Sequence, residues 1–303
     1  MAAPAEMGDY GPVRPLFSTR RRRLAARVTL YGAAILVGLP LATSQMLVGT
    51  LRLGTLEPWP PWEETWVRSG PLRLRAWLAR GEADRATAVV VHGLGDSLES
   101  YVDMGSVLNR RGHGVLLLDL RAHGGSDGRL TTLGGHERAD VRAALEALRE
   151  RGLGTAGFVL FGISMGAVSV IRAAAEEADV RAVVAEAPYD SYRGTVLHHA
   201  RLLYGLPEGF PLVPAAIRVA EWRAGFDADE VDTVAAARRV DAPLLLIVDG
   251  HDPRMPETVV RRVFDAHPGP KRLWVAEGAP HSGASRVPGY WETVLAFLED
   301  AGV

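Results

Sequence analysis

Hydrophobic residues fall into three patterns along this chain. The first is a set of short, mainly apolar runs: Thr87–Val91, Val115–Leu120, Phe158–Ile163, Val180–Ala185, Pro243–Val248 and Arg272–Ala276. Runs of this length predict strands of a parallel sheet, with Thr87–Val91 and Val115–Leu120 buried in it. The second is helical spacing between those runs. Gly135–Arg151 places apolar residues at 141, 144, 145 and 148 on one face, the signature of an amphipathic helix. Leu98–Arg110, Met165–Glu177, Glu257–Ala266 and Tyr290–Leu298 are also predicted helices. Pro71–Ala79 alternates and predicts a strand at the sheet's edge.

The third pattern is Val28–Leu51, which carries no charged residue. A helix of this length crosses about 30 Å of hydrocarbon. Arg20–Arg23 and Arg27 precede it, and only Arg52 follows closely. The positive-inside rule then leaves the N-terminus in the cytoplasm and residues 52–303 on the other side. Two further readings stand beside this single-pass anchor. The segment has the form of a cleaved signal peptide, with small residues near Ala42–Ser44, which would give a secreted protein. It also has the composition of a buried helix. Glu57–Trp66 contains three Pro and three Trp. The prolines predict a stiff, extended linker. The tryptophans suit either a membrane interface or packing on the domain.

Strand-helix alternation over the main body predicts an α/β fold, a mostly parallel sheet with helices on both faces. Ligands bind such sheets beyond the carboxyl ends of the strands. Residues 187–241 break the rhythm and predict a short helical cap, with helices over Leu197–Leu203 and Pro214–Trp222. The expected organisation is a basic tail over 1–27, an anchor or signal segment over 28–51, a linker over 52–65 and one domain over 66–303.

Composition narrows the possibilities. The 303 residues are 48% hydrophobic and 23% charged, which excludes a disordered, collagen-like or coiled-coil chain. There is no Cys, so there is no disulfide and no thiolate nucleophile or ligand. The net charge of −2 divides unevenly: six Arg against Glu6 and Asp9 give residues 1–27 a charge of +4, and the rest carries −6. An acidic main body argues against nucleic acid as a partner.

Gly162-Ile163-Ser164-Met165-Gly166 is a G-x-S-x-G pattern between a predicted strand and a predicted helix. That context is a tight turn that presents the serine oxygen, with Gly162 and Gly166 small enough to permit it. A serine needs a base, and the base needs an orienting acid. In such folds the chain order is serine, acid, histidine. Asp252 follows the Pro243–Val248 strand, and His281 follows the last strand. Glycines in Val91-His92-Gly93-Leu94-Gly95 let the backbone turn N–H groups toward the serine. The N–H groups of Leu94 and Met165 are the expected oxyanion donors. His92 is expected to hold the loop rather than to act as base. His198-His199 on the cap is expected to be one exposed and one packed histidine. His136-Glu137 lacks the second histidine of a zinc motif.

With these residues in view, the chain resembles the serine α/β-hydrolase superfamily, nearest its monoacylglycerol-lipase-like and serine-aminopeptidase-like branch. The resemblance rests on HGLGDS (92–97), GHGVLLLDLRAHGGSDG (112–128), GISMG (162–166), DGHDPRMP (249–256) and GAPHSG (278–283), and covers roughly residues 66–303. It implies a Ser-Asp-His hydrolase acting on acyl or peptidyl substrates, with no metal and no organic cofactor. The chain departs from the family at two places. Arg121-Ala122-His123-Gly124 stands where the family shows R-G-H-G, and Val248-Asp249 where it shows H-G. Asp249 is therefore a second carboxylate near Asp252. Asp119, Arg121, His123 and Asp127 resemble the family's loop after its fourth strand and are expected to bond that loop to the site rim.

The expected activity is cleavage of a small-molecule acyl ester, EC 3.1.1. An amide-cleaving peptidase, an acyltransferase and a perhydrolase fit the same residues. Glu186 and Asp190 hint at an amine-binding cluster. A reading of another class is a non-catalytic binding protein on the same fold.

Overall fold

The computed structural model describes residues 19–50, 52 and 55–303. Most of the basic tail lies outside the described residues, as do Leu51, Leu53 and Gly54 of the anchor and linker.

The eight strands are β1 (Glu63–Ser69), β2 (Leu72–Ala79), β3 (Thr87–Val91), β4 (Val115–Leu118), β5 (Phe158–Ile163), β6 (Val180–Glu186), β7 (Leu244–Asp249) and β8 (Lys271–Ala276). They form one sheet in the order β1-β2-β4-β3-β5-β6-β7-β8. β2 pairs antiparallel with both β1 and β4, and every pair from β4 to β8 is parallel. The edge expectation for residues 71–79 is thus corrected. β2 lies inside the sheet, and the edge beside it is β1, whose first three residues fall in the expected linker. Glu63, Glu64 and Thr65 are solvent-facing or half-buried, while Val67 and Ser69 are buried. An edge strand with so few apolar positions carries little periodic signal.

The helices are α1 (Thr19–Ala33), α2 (Leu39–Val48), α3 (Val102–Asn109), α4 (Glu137–Glu150), α5 (Met165–Ala174), α6 (Tyr192–Tyr204), α7 (Leu212–Ala224), α8 (Thr233–Ala237), α9 (Glu257–Ala266) and α10 (Tyr290–Asp300). The sheet's two faces bury separate cores. Along β3, Val89 and Val91 join α4, α5 and α9 on one face. Ala88 and Val90 join α3 and α10 on the other. This is the period-two alternation of a strand, with both sides covered.

The two main helices between β6 and β7 are longer than their sequence expectation. The cap's two predicted helices lie within α6 and α7. Ser191 extends α6 backward by capping it, with Oγ accepting the Gly194 N–H at 3.2 Å. The histidine expectation on α6 is corrected as well, since His198 and His199 are both half-buried. His198 Nε2–H donates to the Pro253 carbonyl at 2.7 Å, tying α6 to the loop after β7.

α1 runs through a π-helical turn, Ala34–Gly38, into α2. Pro40 follows that turn at once, and its missing N–H leaves a carbonyl of the preceding turn without its usual donor. Arg20–Val48 forms one helix long and apolar enough to cross a membrane. Its first part is bare: Leu30, Leu36 and Val37 are each more than half exposed. Its end is docked, with Pro40, Ser44 and Val48 buried. The three tryptophans of Glu57–Trp66 divide in the same way. Trp62 packs into the core, whereas Trp59 and Trp66 are exposed.

Candidate active site

β5 ends at Ile163 and α5 begins at Met165, so Ser164 alone makes the turn between strand and helix. Its φ of 53° lies in the left-handed region, a cost of roughly 1–2 kcal/mol for a side chain with a Cβ. The turn is held because its neighbours are small. A Cβ on Gly166 would stand 2.3 Å from the Val91 carbonyl oxygen, and one on Gly162 would stand 2.4 Å from the Gly166 oxygen. The Ser164 N–H donates to the Glu186 carbonyl at 2.8 Å, tying the turn to the end of β6.

Three of the predicted residues come together in one chain of bonds. The Ser164 Oγ–H points at His281 Nε2, 3.1 Å away. His281 Nδ1–H donates to Asp252 Oδ2 at 2.6 Å. Burial acts to raise the Asp252 carboxyl. The bond to His281 and the N–H groups of Arg254 and Met255 outweigh it, holding the carboxyl below the usual aspartate range. Asp252 is thus an ionised orienting group for the imidazole.

The expected oxyanion donors flank the serine. Met165 opens α5, and the N–H groups of a helix's first turn have no intrahelical acceptor. Leu94 lies on the loop after β3, where Gly93 approaches so closely that an added Cβ would stand 3.5 Å from Ser164 Cβ. Gly93, Leu94, Ser164 and Met165 all line the same cavity. His92 does not. It is fully buried, accepts the Leu120 N–H on Nε2 at 3.1 Å and donates from Nδ1 to Gly93 O at 2.7 Å. Burial lowers its pKa, so a neutral ring bonds two loops.

The loop after β4 does the same work with charge. Asp119 accepts N–H groups from Leu98 and Gly125 at 2.8 and 2.9 Å, and burial pushes its carboxyl up to about 6. Arg121 forms a two-pronged pair with the buried Asp140, at 2.8 and 2.6 Å. His123 Nδ1–H donates to the Arg121 carbonyl at 2.8 Å. Asp127 accepts the Arg73 N–H at 2.9 Å. Ala122, standing where the family has Gly, takes a φ of 64° and carries strain a glycine would not.

Three features were not found in the sequence. Glu137 is fully buried, and its carboxylate accepts from Thr131 Oγ1, Thr132 N and Oγ1, and Gly134 N at 2.7–2.9 Å. It thereby shapes the 131–134 loop, whose Leu133 lines the cavity. A polar residue in the first turn of α4 was the only signal. The second is Glu186, buried beside Asp249. Glu186 Oε1 accepts the Ala284 N–H at 3.1 Å, and Asp249 Oδ2 accepts the Ser282 N–H at 2.7 Å. Asp249 Oδ1 has no donor among the described groups, and burial together with the Asp249 charge holds the Glu186 carboxyl well above the usual glutamate range. The third is the end of α2. Thr43, Met46 and Leu47 line the cavity over Ser164, together with side chains of α6 and α7.

That cavity has a volume of about 840 Å³ and is mostly apolar. Asp96 is the one carboxylate on its lining among the described residues, and it is occupied by Ser97 N, Ser100 Oγ and Tyr101 OH. Glu186 and Asp190 are not on the lining; Asp190 pairs with Arg262 at 2.6 Å. Donor atoms of Asp249, Asp252 and His281 lie within 4.8 Å of one another, a spacing a metal ion accepts. The facing atoms of Asp252 and His281 already bond each other.

Comparison with known proteins agrees with this architecture. Residues 82–207 match a family model described as serine aminopeptidase, S33. The chain is 28% identical over 218 residues to the uncharacterized protein YqkD of Bacillus subtilis, covering 71% of each. The Pyrococcus furiosus esterase Pf2001 superposes with a TM-score of 0.66 at 24% identity, covering 84% of this chain and 98% of that one. Est1E from Butyrivibrio proteoclasticus, solved with ferulic acid bound, superposes with a TM-score of 0.60 at 18% identity, covering 78% and 98%. The chain has the α/β-hydrolase fold, and its segment 82–207 is similar to the serine aminopeptidase family.

Proposed function

We propose that this chain is a membrane-tethered serine hydrolase that cleaves carboxylic esters through Ser164, His281 and Asp252. The observation that carries the reading is the Ser164–His281–Asp252 chain of bonds at an apolar cavity. His281 Nε2 takes the Ser164 proton as Oγ attacks the ester carbonyl. The N–H groups of Leu94 and Met165 hold the oxyanion that forms. His281 then gives its proton to the departing alkoxide, leaving an acyl-enzyme. Water, deprotonated by the same imidazole, releases the acid and restores Ser164. Asp252 holds Nδ1–H throughout and stabilises the imidazolium.

Ester chemistry is favoured over aminopeptidase chemistry by the cavity lining. A free amine needs a carboxylate to meet it; neither Glu186 nor Asp190 is on the wall, and Asp96, which is, already accepts from Ser97 N, Ser100 Oγ and Tyr101 OH. Pf2001, named an esterase, is a structural relative on which this reading also leans. The apolar helix over Arg20–Val48 and the arginines at its start support a single span with the hydrolase domain outside the cytoplasm.

The test is intact-mass analysis of the full chain in detergent after fluorophosphonate treatment, beside Ser164→Ala. One adduct on wild type and none on the variant is expected, with loss of ester turnover of about 10⁶-fold. An unlabelled but folded wild type, or a variant that still turns over esters, refutes the assignment.

A further inference from the structure

We propose that the end of the membrane-crossing helix is a wall of the acyl site. Met46 and Leu47 then set acyl-chain length, and the substrate is a long-chain lipid ester entering beside the bilayer. The inference rests on the hydrolase reading above and names its substrate class.

Four observations carry it. First, Thr43, Met46 and Leu47 line the Ser164 cavity, although the serine lies more than a hundred residues away in sequence. Second, this end of the helix is fastened to the domain. Arg223 on α7 donates to Ser44 Oγ at 2.8 Å and to Gln45 Oε1 at 2.6 Å. The Thr131 N–H donates to the Val48 carbonyl at 2.9 Å, and Thr50 Oγ1–H to the Ala122 carbonyl at 2.6 Å. Removal of residues up to Ser44, as by a signal peptidase, would take Thr43 from the wall and Ser44 from Arg223.

Third, the opening of the cavity is apolar. Met46 on α2 and Leu203 and Tyr204 on α6 line the cavity, and each is more than half exposed. Residues that do both stand at the rim. Water-facing rims are seldom built this way, because each exposed apolar side chain costs hydration free energy. Fourth, the rim has a fixed place relative to the span. The bare part of the helix runs directly into the docked end at Pro40–Val48, so Met46 and the Arg223 bonds stand on the face of the domain that the span enters. There an acyl chain can leave the bilayer for the cavity without crossing water.

The test uses the full chain in detergent micelles and a series of 4-methylumbelliferyl esters from four to sixteen carbons. Met46→Trp and Leu47→Trp narrow the wall. The expected result is a fall of at least about tenfold in kcat/KM for chains of twelve carbons or more. The four-carbon ester should change less than about threefold, so the optimum moves to shorter chains. A profile with the wild-type shape overturns the proposal. A second measurement avoids a bulky substitution. The chain has no Cys, so Met46→Cys carries a single thiol. Its maleimide labelling is measured after Ser164 has been capped with an ethyl or a hexadecyl phosphonate. At least tenfold slower labelling under the hexadecyl cap is expected; equal rates overturn the proposal. If neither phosphonate reacts with wild-type Ser164, the hydrolase reading fails first and takes this inference with it.

Discussion

Asp249 and Asp252 grip the loop after β8 at consecutive residues. Asp252 Oδ2 meets His281 Nδ1 at 2.6 Å, and Asp249 Oδ2 accepts the Ser282 N–H at 2.7 Å. One carboxylate holds the imidazole and its neighbour holds the backbone beside it. Ser282 takes a φ of 59°, so the chain at that point needs holding.

The two aspartates should therefore separate cleanly by mutation. Asp252→Asn presents an amide donor to Nδ1 and favours the wrong tautomer, with an expected loss in kcat of about 10³–10⁴-fold. Asp249→Asn keeps an oxygen for the Ser282 N–H and gains a donor for Glu186. Its expected loss is under about tenfold. Steady-state kinetics on both variants checks this, and an equal loss in the two would reverse the assignment of roles.

The Glu186–Asp249 pair also makes stability depend on pH. Burial pushes the Asp249 carboxyl up to about 6, above its unfolded value of 3.8. Burial, then the Asp249 charge, pushes Glu186 well above the usual glutamate range. Asp252, His281 and Arg286 are the other charges facing the pair. A raised carboxyl stabilises the fold fully below its unfolded pKa and loses that contribution as pH rises through the folded value. Asp249→Asn removes the Asp249 part of this loss and keeps only that of the buried Glu186. Its Tm relative to wild type is expected to climb between pH 4 and pH 7. Asp119, also raised to about 6, and His123, lowered to about 4, act in both proteins and cancel in the difference. Parallel Tm curves would show that the pair shares no proton.

Arg223 ties α7 to α2 with two side-chain bonds. Replacing it with Ala leaves Ser44, which is buried, without that donor. Hydrogen exchange over residues 39–50 is expected to speed up by about tenfold, the effect of losing roughly 1.4 kcal/mol of local protection. Exchange over β5 and α5 should be unchanged. No change over 39–50 would mean that packing alone holds the helix end.

Gly166→Ala tests the elbow itself. The added methyl meets the Val91 and His92 carbonyl oxygens at 2.3 and 2.6 Å, and backbone atoms cannot swing aside. A destabilisation of about 1–3 kcal/mol is expected, together with loss of phosphonate labelling. A variant with wild-type Tm would show that β3 and α5 are not packed as described.

Glu137→Ala removes one carboxylate from four donors in a fully buried site. Each buried donor left without a partner costs about 1–3 kcal/mol. A Tm drop larger than that of Gly166→Ala is expected, and Glu137→Gln should recover part of it. A Tm within a degree of wild type would mean that water takes the place of the carboxylate.

Much of this protein is determined locally, and that part is legible in the sequence. The apolar runs that became β3–β7 need only their own side chains to be recognised, since burial on both faces demands near-continuous hydrophobicity. Ser164 is legible because its turn admits only small neighbours at 162 and 166. The order serine, acid, histidine follows from strand succession. What the sequence leaves open is whatever depends on distance between remote residues. Asp249 and Asp252 have the same chemistry three positions apart, and only the path of the 279–284 loop decides which one meets the imidazole. β1 shows as a strand only beside β2, since its own pattern is weak. Arg223 and Ser44 lie 179 positions apart, and no periodicity links them. That Val28–Leu51 is apolar is plain from composition. That the far end of the helix closes over Ser164 is decided by tertiary packing, because hydrophobicity says a residue will leave water but not which surface it will leave water for.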